Sequence, residues 1–100
     1  MKLHWLAAAL ADLREIKAYI AEKNPAAAQR VIENIRIETS VLLSQPNIGR
    51  AGRITETREL VINQYPYIVA YREHGDEIHI LAVVHTSRLW PEQFPKGRKG

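Results

Sequence analysis

Five residues carry the groups with which this chain could act on another molecule: Arg50, Arg53, Arg58, His85 and Arg88. Four guanidiniums and one imidazole suit an anionic partner such as RNA, DNA or an acidic polypeptide. Arginine is always charged and presents a planar fork of donors that matches phosphate and carboxylate. Histidine, with an unperturbed pKa near ~6.5, can take or give a proton close to neutrality. The set could therefore cut something, bind something, or sit in solvent paired with local acids. Arg50 and Arg53 flank Gly52 in a loop, where binding groups gather. His85 and Arg88 close the last apolar run, and Arg58 opens an earlier one.

The elements that position these groups follow from periodicity. Lys2 to Trp5 reads as a first strand. Leu6, Leu10, Leu13, Ile16 and Ile20 then recur at steps of four and three, the stripe of a helix reaching about Glu22. Asn24 is a good N-cap and Pro25 suits the first helical position, so a second helix should run from Pro25 to about Ser44. Ala28, Val31, Ile32, Ile35 and Leu42 point inward, and Glu33 can pair with Arg36 outside. Pro46, Gly49 and Gly52 mark a loop. Beyond it the period falls to two: Leu60 and Ile62 in a second strand, Tyr67 to Arg72 in a third, and His74-Gly75-Asp76 as a hairpin turn. In the fourth strand Ile78, Ile80, Ala82 and Val84 fall on one face, and His79, Leu81, Val83 and His85 on the other. The first of these faces is wholly apolar and should receive the helices. The predicted class is α+β, order βααβββ, with a helical hairpin packed on one face of a small antiparallel sheet.

Composition narrows the classes. One hundred residues make a single domain, expected over 1–92, with 93–100 as a flexible basic tail carrying Lys96, Arg98 and Lys99. Hydrophobic residues at 46% and charged ones at 25% are ordinary for a globular chain. No apolar run approaches a membrane span, no secretory signal opens the chain, and the absence of cysteine excludes disulfides and thiol chemistry. The cytoplasm is the default location. A formal charge of +3 describes a mildly basic protein and not a polycation. Four histidines without i, i+3 or i, i+4 spacing give no metal signature, and GRAGR lacks the strand-to-helix setting of a phosphate loop. No metal, cofactor or cofactor-binding residue is expected. Tyr65, Tyr67 and Tyr71 read as packing residues on a sheet face or edge, and Trp90 beside Pro91 as a lid on the end of the core.

Several blocks in order carry a resemblance: NPAAA at 24–28, GRAGR at 49–53, TREL at 57–60, PYIVAYR at 66–72 and HTSRLWP at 85–91. From Lys2 to Pro91 the chain resembles the RelE/ParE superfamily of bacterial toxins, the toxin halves of type II toxin–antitoxin modules. The resemblance implies a cognate antitoxin, small and acidic, and contact with operator DNA only through it. It implies one of two targets. RelE-type members are ribosome-dependent mRNA endonucleases, which must activate a ribose 2′-OH and stabilise charge on the scissile phosphate. Arg88 matches their arginine after the last strand, Arg58 lies near their second-strand lysines, and His85 could act as base. The third-strand arginine has no match, since Ile68 follows Tyr67, and no tyrosine follows Arg88. An incomplete set of Arg58, His85 and Arg88 favours the ParE-like side, whose members inhibit DNA gyrase by binding. On that reading Arg50, Arg53, Arg58, His85 and Arg88 form a binding rim. A domain that only binds antitoxin or RNA is the third possibility.

Overall fold

The computed structural model describes residues 1–87. Arg88, Trp90 and the basic tail lie outside the described residues. Lys2–Trp5 forms β1, Ala7–Ala21 α1 and Pro25–Thr39 α2, which tightens into a 3-10 turn over Ser40–Leu43. Arg50–Ala51 forms β2, Arg58–Val61 β3, Tyr67–His74 β4 and Glu77–His85 β5. The helices pack on each other, and α1 lies on β5. The expected helical hairpin on a sheet is therefore present.

The sheet has five strands in the order β1-β5-β4-β3-β2, and it is mixed. Strands β2 to β5 pair antiparallel, but β1 joins β5 in parallel, with Lys2 opposite Glu77 and Trp5 opposite Ile80. Parallel neighbours need a long crossover. Here that crossover is everything between them, so β1 returns to an edge to which no hairpin connects it. The two-residue β2 had no pattern of its own to announce it.

Local chemistry sets the helix ends. The Leu6 N–H donates to the Ile80 carbonyl at 3.1 Å, so the last rung of β1 passes straight into α1 without a capping side chain. Asn24 caps α2 as its sequence dictates, Oδ1 accepting from the Ala27 N–H at 3.0 Å, with Pro25 at the first position. The helix stops short of Ser44 for a visible reason. Thr39 Oγ1 donates back to the Ile35 carbonyl at 2.7 Å, and Ser40 Oγ to that of Ile37 at 2.6 Å. Hydroxyls bonded this way compete with the helical ladder and tighten its last turn. The expected Glu33–Arg36 pair is not made. Glu33 accepts from Gln29 at 2.9 Å, and the Arg36 guanidinium sits 5.2 Å above the Trp5 ring.

Each helix alone would be marginal at 15 residues. Burial holds them. Ala9 and Leu13 of α1, and Val31 and Ile35 of α2, pack with Leu42, Tyr67, Val69, Tyr71, Ile78, Ile80 and Val83 in one core. At ~1.5–3 kcal/mol for each large side chain buried, this cluster outweighs any propensity term by far.

The face assignment of β5 is corrected by an irregularity. Ala70 stands opposite Ala82, but Tyr71 stands opposite Ile80, so Leu81 is an extra residue without a partner. Such a bulge reverses the alternation beyond it. Val83 and His85 therefore join Ile78 and Ile80 on the helix side, in register with Val69 and Tyr67. Ala82 and Val84 turn to the opposite face with Ala70 and Ile68. The helices thus receive a face that ends in His85 and is not wholly aliphatic. The bulge also frees a ladder donor. The Val83 N–H donates instead to Asp12 Oδ2 of α1, at 2.9 Å, which ties helix to sheet at the irregular point.

Candidate functional site

Arg50, Arg53 and Arg58 gather at one end of the sheet, around the loop that joins the 3-10 turn to β3. Tyr71, fully buried, organises that loop. Its hydroxyl donates to the Pro46 carbonyl at 2.8 Å and accepts from the Gly49 N–H at 2.9 Å. Burial pushes this phenol above its usual 10.0, with the Gly49 N–H and the Arg58 charge pulling the other way, so it stays a neutral donor at physiological pH. Only glycine permits the approach: a Cβ on Gly49 would lie 2.7 Å from the Tyr71 hydroxyl and 2.9 Å from the Glu59 carbonyl. Arg58 works on the same loop. One of its terminal nitrogens donates to the Gly49 carbonyl at 2.9 Å and reaches that of Asn47 at 3.5 Å. Arg58 is thereby a loop clamp more than a displayed cation.

The carboxylate of Glu59 is 3% exposed and pairs with Arg50, whose Nε and a terminal nitrogen both stand 3.0 Å from Oε1. Its other oxygen accepts from the Arg53 N–H at 3.4 Å. Arg50 remains 58% exposed, so the outer edge of its guanidinium faces solvent. Beside these residues an open hollow of about 410 Å³ is lined by Arg58 and Arg72 but also by Glu56 and Glu73. Balanced charges make it a poor trap for phosphate.

His85 lies at the other end. Its ring meets Tyr67 edge-on at 5.3 Å. The Ser87 N–H donates to Nδ1 at 3.0 Å, with Ser87 Oγ 2.9 Å from the same nitrogen. A backbone donor on Nδ1 places the neutral ring's proton on Nε2, so the imidazole offers outward a donor and not a free lone pair. Tyr67 beneath it is buried, and that burial, with Tyr19 nearby, raises its phenol above 10.0.

The two groups of residues do not converge. Arg58 is in register with Tyr71 and His85 with Tyr67, four residues apart on β4. At ~3.3 Å per residue that is roughly 13 Å along the sheet. Arg50 falls on the opposite face, in register with Glu59 and through it with Ala70. A base must lie within hydrogen-bond reach of the proton it removes, with its cation at the same phosphate. Among the described residues no such constellation forms.

Sequence reading missed a third grouping. His4, His74 and His79 meet on the face away from the helices. The rings of His4 and His79 are 5.3 Å apart, and those of His74 and His79 stack at 4.6 Å. Glu77 Oε1 is 3.0 Å from His79 Nε2. Only the parallel pairing of β1 with β5 brings His4 here.

Comparison with known proteins agrees with the blocks noted in the sequence. A family model described as the ParE toxin of the type II toxin–antitoxin system parDE matches residues 3–90. The chain is 43% identical over 91 residues to the Y4kP protein of Sinorhizobium fredii, covering 91% of this chain and 94% of that one. It is 36% identical over 85 residues to Toxin RelE2 of Caulobacter vibrioides, covering 85% and 94%. A chain of the chromosomal ParDE system from P. aeruginosa superposes with a TM-score of 0.77 at 27% identity, over 85% of this chain and 95% of that one.

Proposed function

The chain belongs to the ParE toxin family of type II toxin–antitoxin systems, and from that premise we propose that it arrests growth by binding DNA gyrase, not by cutting RNA. Family membership carries with it a cognate antitoxin. One observation supports the choice of target: among the described residues, Arg58 and His85 stand apart. Arg58 spends its donors on the Gly49 and Asn47 carbonyls, and His85 has Nδ1 occupied by Ser87. Some 13 Å lies between their register positions, at ~3.3 Å per residue. A catalyst needs such groups together, whereas a protein interface of ~800 Å² per partner needs them spread.

On this reading Arg50, Arg53, His85 and Arg88 contact the target, and Arg58 positions the loop that presents Arg50. The antitoxin is a small acidic chain that binds operator DNA on the toxin's behalf. Exposed apolar side chains on the helical hairpin and the turn after it, Tyr19, Ile37 and Leu43, offer it anchors. No described helix is long and apolar enough to cross a membrane.

The test pairs two assays on the purified chain. Supercoiling by purified gyrase is measured beside mRNA cleavage on translating ribosomes, each with and without antitoxin. Inhibited supercoiling with intact mRNA supports the proposal. A-site cuts with normal supercoiling would assign ribosome-dependent endonuclease chemistry instead, and neither effect would leave a domain that only binds antitoxin or RNA.

A further inference from the structure

His85 belongs to the binding rim proposed above, and its neighbours fix the face, the plane and the tautomer of its ring. The bulge at Leu81 sets the face: Tyr67 opposite His85 and Val69 opposite Val83 put the imidazole on the side of the helices. Asp12 Oδ2 holds the strand in that register two residues earlier, accepting from the Val83 N–H at 2.9 Å. The Tyr67 ring, edge-on at 5.3 Å and 86°, sets the plane. Tyr67 is itself only 8% exposed, so it is a fixed wall and not a mobile neighbour. The Ser87 N–H, 3.0 Å from Nδ1, sets the tautomer. A backbone N–H can only donate, so Nδ1 must accept and the proton of the neutral ring sits on Nε2. Ser87 Oγ, 2.9 Å from Nδ1, closes that nitrogen to any outside group. Among the described residues nothing bonds to Nε2.

We propose that His85 determines specificity by meeting the target as a hydrogen-bond donor through Nε2–H, so that the group it reads is an oxygen acceptor on the protein partner; this rests on the gyrase-binding reading and names the chemistry of one contact within it. A base would need the opposite tautomer. To take a proton from a ribose hydroxyl, Nε2 must hold a free lone pair. Shifting the ring's proton to Nδ1 would set it against the Ser87 N–H and cost the hydrogen bond between them. The turn that disables the ring as an outward base therefore prepares it as an outward donor. A ring whose plane and tautomer are fixed in the free protein loses little freedom when it binds, so more of the contact's energy appears as affinity. A partner without an acceptor at that point leaves the donor desolvated and unpaired, and one polar group discriminates between partners in this way.

The experiment measures inhibition of purified gyrase by the full-length chain and by its His85→Ala, His85→Asn and His85→Gln variants, with the thermal midpoint of each. The amide nitrogen of glutamine reaches about where Nε2 stands, so it restores an outward donor but abandons the Ser87 N–H. The amide of asparagine reaches only as far as Nδ1, so it can accept from the Ser87 N–H but presents no donor beyond it. Expected is that His85→Ala and His85→Asn each raise the half-inhibiting concentration by at least about fivefold, the lower end for a hydrogen-bonding group left unpaired, and that His85→Gln recovers most of that loss. A purely structural role in the turn predicts the reverse order, with asparagine close to the wild type and glutamine weak. That reverse order, equal losses in all three variants, or no loss in any would each overturn the proposal while leaving gyrase as the target. A wild-type chain that fails to inhibit gyrase overturns the gyrase-binding reading, and this contact with it.

Discussion

Tyr71→Phe removes a single oxygen from the centre of the loop that carries the rim arginines. The ring stays, so the core keeps its volume. Two hydrogen bonds go: the one donated to the Pro46 carbonyl at 2.8 Å and the one accepted from the Gly49 N–H at 2.9 Å. Each such bond contributes ~0.5–1.5 kcal/mol net, and a buried group left without a partner costs ~1–3 kcal/mol. Gly49 is buried and Pro46 half-buried, so about 2 kcal/mol of destabilisation is expected for the pair. For a domain of this size that lowers Tm by roughly 8–16 °C, at ~4–8 °C per kcal/mol. Urea unfolding is the assay, with the midpoint falling and the slope unchanged. The pH dependence has a definite sign. The phenol's pKa is raised in the fold, so its contribution is complete below the unfolded value of 10.0 and is lost as pH rises through the folded one. The gap between wild type and variant should then be flat through neutrality and close only above pH 10. A destabilisation under about 0.5 kcal/mol, the lower bound for one net hydrogen bond, refutes the reasoning and reduces Tyr71 to a core filler.

Other perturbations test neighbouring contacts. Gly49→Ala forces a Cβ to within 2.7 Å of the Tyr71 hydroxyl and should cost ~1–3 kcal/mol by the same denaturation assay. Asp12→Ala strips the acceptor from the Val83 N–H; amide exchange at Val83 should accelerate, and stability should drop by ~1–3 kcal/mol. Arg50→Ala removes one charged partner of the buried Glu59 carboxylate and should destabilise more than a typical surface change, which stays within ~0.5 kcal/mol; adding Glu59→Gln should recover part of the loss. Glu77 is held below its usual 4.5 by the hydrogen bond from His79, which outweighs the opposing effect of burial, with smaller contributions from the charges of His79, His4 and Lys2. A depressed carboxyl gives stability that is present above its unfolded pKa and lost as pH falls through its folded one. Glu77→Gln should therefore flatten the acid limb of the stability curve below pH 4.5.

The helical hairpin was legible because its stripes are unambiguous and Asn24-Pro25 punctuates them. Strand identities in the second half were legible from their period of two. The bulge was not. In ILAVV at 80–84 every residue is apolar, so inserting one at Leu81 leaves a sequence as hydrophobic on either face. Only the pairing with Ala70 and Tyr71 reveals it, and it carries Val83 and His85 to the helix side. Arg58 was legible as a cation but not as a clamp, since its acceptors are backbone carbonyls that leave no mark in residue types. The imidazole grouping was hidden more deeply. His74 and His79 are joined across a turn, and His4 reaches them through parallel pairing that no local pattern encodes. Of the five candidate residues, sequence supplied the chemistry of each but not the separation of Arg58 from His85, which is a property of register.

Strand β1 has one further consequence, in time and not in space. Its partner positions begin at Glu77, some 75 residues further along the chain. A chain emerging from a ribosome makes its N-terminal strand first and must leave it unpaired until β5 appears. Contacts of such separation slow folding, because the connecting chain must be ordered before they form. The α1 start is held to the same late strand, through the Leu6 N–H on Ile80 and Asp12 on Val83. Until β5 is made, α1 and α2 can pack on each other, but β1 and the start of α1 lack the strand that holds them.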